Sequence, residues 1–175
     1  MESTNKPEVW LRGPLPDVPA LLQPVAHALM QAREEVTSLL QGFPDDLLWK
    51  QPLPVASVGF HLQHLSGVLD RLFTYAWSMA LSDRQLADLK QEGKPSPNDP
   101  LSTEQLVTRF SVQVETALAQ LRTTDDQTLT AVRLVGRAQI PSTVIGLLVH
   151  AAEHTMRHVG QLIVTVKLVT ASAHD

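Results

Sequence analysis

Apolar residues recur three and four apart along four long stretches of this chain, and prolines and glycines fall between those stretches. That period marks one face of a helix and is not the alternation of a strand. The first stretch runs from about Ala20 to Leu40, with Leu22, Val25, Leu29, Val36 and Leu40 as its apolar marks. Pro24 lies in its first turns, where a missing N–H costs least, and Gly42 and Pro44 end it. Ser57 is placed to cap the second stretch, which carries Leu62, Leu65, Leu69, Leu72 and Ala76 and is expected to reach about Ala80. The third opens on "STEQ" at Ser102, a capping-box spacing, and runs to about Leu121. The fourth is expected from near Ser142 to about Val169. Ser82 and Gln85 have the same capping-box spacing at the head of a short helix, "SDRQLADLKQ". "EGKPSPNDP" reads as a loop, and "RLVGRAQIP" as an extended connector or a short strand.

These elements predict an all-α fold, a four-helix bundle with short extra helices. The connections are too long for a minimal up-down bundle, so some must cross over. Few strand patterns are available to an α/β fold. With 175 residues, the chain is one domain over 1–175, with an N-terminal extension at 1–16 and a C-terminal tail at 170–175. A domain of this size buries roughly 70% of its unfolded surface and needs no staples. The lack of cysteine excludes disulfides, thiolate ligands and a cysteine nucleophile, and the expected setting is the bacterial cytoplasm. Net charge is −4 without a long basic run, so no nucleic-acid partner is expected. The most apolar segment is broken by histidines, Glu153, Arg157 and Gln161, so no membrane span is expected either.

Five of the seven histidines fall in two places. His61 and His64 are on the second helix, and His150, His154 and His158 stand four apart on the fourth. Side chains at i and i+4 on a helix have Cβ atoms roughly 5–6 Å apart, near enough for two imidazoles to share one cation. His154 and His158 supply such a pair, and His64 or His61 could supply a third ligand if the helices are neighbours. Three neutral histidines leave coordination positions open, the layout of a catalytic metal site. The competing reading is a polar stripe on a bundle edge.

"GFHLQHLSGVLDRL" followed far downstream by "HAAEHTMRHVGQL" resembles the DinB-like, or YfiT-like, superfamily of four-helix-bundle proteins. The order and separation of the two motifs and the terminal "HVGQ" carry the resemblance, which covers most of the chain. It implies an up-down-down-up bundle holding a divalent metal (Zn, Ni, Fe or Mn) on three histidines, here His64, His154 and His158. His61, His150 and Gln161 then fall to the pocket wall or to orienting an imidazole. Many relatives end in HxxHHRGQ; here Arg157 and Val159 stand at the two changed positions, and neither removes an implied ligand.

The resemblance implies a metal-dependent enzyme that activates water or a low-molecular-weight thiol, as a hydrolase or a thiol S-transferase. Its partner would be a small-molecule substrate, and the resemblance admits a homodimer. The alternative is a non-catalytic binding or stress-response module with a structural or vestigial metal site. Gly160 is expected to let helices approach closely. Glu153 is expected in a salt bridge, Asp70 with Arg71 in a structural role, and Tyr75 at the core or an edge. His27 and His174 are expected at the surface, and no general base stands out.

Overall fold

The computed structural model of the chain describes residues 6–51, 53–96 and 100–173. His174 and parts of the expected N-terminal extension and C-terminal tail lie outside them. Helices α1 (Gln23–Leu39), α2 (Val58–Ala76), α3 (Asp83–Gln91), α4 (Thr103–Thr123) and α5 (Val144–Ser172) account for most of the fold. A small antiparallel hairpin, β1 (Val132–Val135) and β2 (Ile140–Thr143), precedes α5. The four long helices form the bundle; α1 and α2 each pack against both α4 and α5. Among the described residues, no helix is long and apolar enough to cross a membrane.

Local chemistry sets the helix ends. In both α3 and α4 the capping box is complete. Ser82 accepts from the Gln85 N–H at 3.3 Å while the Gln85 side chain accepts from the Ser82 N–H at 2.8 Å. Ser102 and Gln105 do the same at 3.2 and 2.8 Å. Each box satisfies donors that a helix start leaves without partners. Ser57 caps α2 by accepting from the Phe60 N–H at 3.1 Å.

Helix α2 ends at Ala76, four residues before the expected Ala80. Ser78 takes φ +60°, its N–H donates to the Tyr75 carbonyl, and the Met79 N–H donates to that of Thr74. This pair of bonds is a Schellman stop, built on a serine where glycine is usual. Helix α1 begins at Gln23, since Ala20–Leu22 form a 3₁₀ turn. Helix α5 begins at Val144, capped by Thr143, and continues to Ser172. "RLVGRAQIP" resolves into the hairpin, its turn held by Gly136 at φ +66° and Gln139 at φ +50°. Arg133 ties the hairpin to the end of α2 by donating from Nε to the Ala76 carbonyl at 2.8 Å.

The apolar faces meet in one core. Leu29 and Val36 of α1, Leu62, Leu65 and Leu69 of α2, Phe110 and Val114 of α4, and Leu148, Val159 and Leu162 of α5 are all buried within it. Helix α3 buries no residue and lies outside this core. The α2–α5 contact matters most for function, because both histidine groups lie on those two helices.

Candidate metal centre

Packing α2 against α5 joins residues about ninety positions apart. His64, His154 and His158 each offer one ring nitrogen, and these atoms all lie within 4.8 Å of one another. Their ring centroids are 5.2 Å (His64–His154), 4.4 Å (His64–His158) and 4.6 Å (His154–His158) apart. All three rings are half-buried. Three imidazoles in this arrangement could hold a metal ion.

The polar atoms of the cluster are consistent with a cation. His64 Nε2 faces His154 Nε2 at 2.9 Å, so two nitrogens of one kind point at each other. The other ring nitrogen of His154, Nδ1, is buried without a hydrogen-bond partner. A buried polar atom without a partner is costly.

Burial favours the neutral form of His154 and His158. His158 is pushed down to about 4, first by burial and then by His64, His154 and His61. Burial, then His64, lowers His154 as well. Neutral imidazole is the form that binds metal.

His61 packs one turn before His64, is only 3% exposed, and sets its Nδ1 3.2 Å from His158 Nδ1. Burial and then His64 push it down to about 4. The Phe60 ring stacks on His64, with centroids 5.2 Å apart and planes 10° from parallel.

The carboxylate nearest the cluster is Glu92, just past the end of α3. Its Oε2 accepts from His64 Nδ1 at 2.7 Å, and its Oε1 accepts from the Arg71 guanidinium at 2.7 Å. Side-chain exposure is 9% for Glu92 and 10% for Arg71, so this pair is buried. Burial raises the Glu92 carboxyl, but the hydrogen bonds from His64 and Arg71 outweigh it and leave the group below its ordinary value. Sequence reasoning missed Glu92, which sits at the head of a stretch that reads as loop. Its 28-residue separation from His64 leaves no spacing signal.

Arg71 pairs with Glu92 and not with Asp70. Glu153 accepts from Arg157 at 2.6 Å and from His150 Nδ1 at 2.7 Å on the exposed face of α5. His150 is exposed, its ring 5.3 Å from that of His154. Gln161 is exposed and makes no hydrogen bond to an imidazole among the described residues; Glu92 orients His64 instead. Gly160 does not serve close helix packing, since a Cβ there would meet nothing within 4 Å. Gly160 and Gln161 instead line an open groove of about 550 Å³ with His61, Arg157, Val55 and Val164. Tyr75 is half-buried against the core, and His27 is half-buried with Nε2 3.0 Å from the Gly13 carbonyl.

A four-helix bundle with a histidine triad set between two of its helices is the class these features define. The sequence profile of the DinB superfamily matches residues 28–162, and the chain belongs to that superfamily. The crystal structure of a conserved protein from Enterococcus faecalis has the same fold, with a TM-score of 0.65 and 19% identity. The match covers 86% of this chain and 97% of that one. No curated protein matches the chain.

Proposed function

We propose that this protein is a metal-dependent enzyme in which His64, His154 and His158 hold one divalent cation, Zn, Ni, Fe or Mn. The observation that carries the reading is the convergence of three ring nitrogens within 4.8 Å. Three protein ligands leave positions open for water or substrate. When bound, the cation supplies Lewis acidity, which lowers the pKa of a water or of a low-molecular-weight thiol. Hydrolysis and thiol S-transfer are the two reactions this chemistry serves. The absence of cysteine leaves any thiol nucleophile to come from outside the chain.

The chain's own residues have separate tasks. Burial keeps His154 and His158 neutral and ready to donate a lone pair. Glu92 accepts from His64 Nδ1, which leaves His64 Nε2 free to face the cluster. The groove beside His61 has apolar walls at Val55 and Val164 and polar groups at Arg157 and Gln161. A small substrate with one apolar and one polar end suits that lining.

The test is elemental analysis of protein purified without chelators. One equivalent of divalent metal is expected in the wild type, with near-complete loss in His64→Ala, His154→Ala and His158→Ala and retention in His150→Ala. Equal metal content in His154→Ala and wild type would remove His154 from the ligand set. A wild type that carries no metal and takes up none favours the non-catalytic helical module.

A further inference from the structure

The buried contacts around Glu92 determine more than its position. The Arg71 guanidinium donates to Glu92 Oε1 at 2.7 Å, and His64 Nδ1 lies 2.7 Å from Oε2. An ionised carboxylate only accepts hydrogen bonds, and a guanidinium only donates them. His64 Nδ1 must therefore carry a proton. In a neutral ring the lone pair is then on Nε2, the nitrogen that faces His154 at 2.9 Å.

Gly67 makes room for this arrangement. A Cβ built at Gly67 would lie 2.5 Å from both Arg71 Nη1 and Glu92 Oε1. The pair nests against the bare backbone of α2, one turn from His64.

We propose that Arg71 and Glu92 act as positioning residues that fix the tautomer of His64, with Arg71 holding Glu92 so that the metal-facing nitrogen stays unprotonated. The inference rests on the metal-site reading only for its purpose; the tautomer itself is set in the metal-free protein. It makes a specific demand on Glu92→Gln. The carboxamide has one accepting and one donating end. Arg71 can only donate, so it claims the oxygen, and the NH₂ is turned to His64 Nδ1. His64 must then accept at Nδ1 and carry its proton on Nε2, which blocks the nitrogen a cation needs. Removing Arg71 as well frees the carboxamide to turn over and restores the original tautomer.

Long-range proton–nitrogen NMR spectra of metal-free, ¹⁵N-histidine-labelled protein, taken where the imidazoles are neutral, read the tautomer directly. Wild type is expected to carry the His64 proton on Nδ1, and Glu92→Gln on Nε2. Arg71→Met/Glu92→Gln returns to Nδ1, and Arg71→Met alone keeps Nδ1, since a carboxylate accepts in either orientation. Cobalt(II) titration of the same proteins should show affinity falling about 10–100-fold in Glu92→Gln and partly recovering in the double variant. A purely structural role for Glu92 predicts no such recovery, because the double variant removes more contacts than the single one.

A wild-type His64 protonated on Nε2 overturns the proposal, as does a Glu92→Gln protein with unchanged tautomer. If Glu92→Gln does not fold, Gly67→Ala replaces it. Crowding then displaces the pair, and a wild-type tautomer in a folded Gly67→Ala protein with the Arg71–Glu92 pair dislodged counts against the proposal. Failure of the wild type to bind cobalt, Zn, Ni, Fe or Mn would sink the proposed function, while the tautomer spectra would still decide this inference.

Discussion

Two glycines show how differently one residue type is used in this bundle. Gly59 lies at the start of α2 with its backbone against the Trp49 ring; a Cβ there would come 2.5 Å from Trp49 Cζ3. Its N–H donates to the Leu48 carbonyl at 2.8 Å, so the backbone cannot easily retreat. Gly59→Ala should therefore destabilise the protein by about 1–3 kcal/mol, through overpacking. Gly160 is the opposite case, exposed in mid-helix with open space where a Cβ would go. Gly160→Ala should stabilise the protein by about 0.5–1 kcal/mol, through helix propensity alone. Denaturant melts of the two variants would show midpoints moving in opposite directions. Two shifts in the same direction would mean that one of the glycines is not used as the structure indicates. Both glycines are visible in the sequence, but their neighbours are not, and the expectation that Gly160 packs closely failed for that reason.

The elements are joined by polar contacts at their ends. The short turn Asp45–Leu47 meets the start of α4 where Asp45 Oδ1 accepts from the Thr103 N–H at 2.7 Å. This hydrogen bond from the Thr103 backbone holds the Asp45 carboxyl below its ordinary range. A carboxyl lowered in the folded state adds stability above its unfolded pKa and loses it as pH falls through the folded value. Asp45 is exposed, so solvent discounts the effect, and Asp45→Ala should cost less than about 1 kcal/mol at neutral pH. Melting temperatures of wild type and Asp45→Ala should differ near neutrality and converge as pH falls through the lowered folded pKa, where the carboxylate becomes protonated in both states. A gap that persists at low pH would assign the cost to packing.

Helix ends were legible where the signal is a side chain beside its own backbone. The boxes at Ser82 and Ser102 and the cap at Ser57 all form as the sequence predicts. The stop at Ser78 was not legible, because serine at positive φ has no sequence signature as strong as that of glycine.

For the molecule as a whole, the histidine triad links α2 to α5 across the bundle. A cation held there binds the folded chain and not the unfolded one. At a free concentration of 100 Kd it would stabilise the fold by about 2.7 kcal/mol. For a domain of this size each kcal/mol moves Tm by about 2–4 °C, so saturating metal should raise Tm by roughly 5–10 °C. Calorimetry with added Zn or Ni, reversed by a chelator, measures this. No shift in wild type, or an equal shift in His158→Ala, would argue against a bridging site.

The sequence by itself determined the helical class, the caps of three helices and the i, i+4 histidine pair, because each rests on contacts within a few residues. Residue spacing alone left His61 and His64 as equal candidates, and family resemblance was needed to prefer His64. Only the tertiary structure decided that His64 joins His154 and His158 while His61 backs His158 from the groove side. It also decided that the partner of His64 is Glu92, carried in by a helix with no buried face of its own. Such contacts depend on where separate elements dock, and no local period along the chain encodes that.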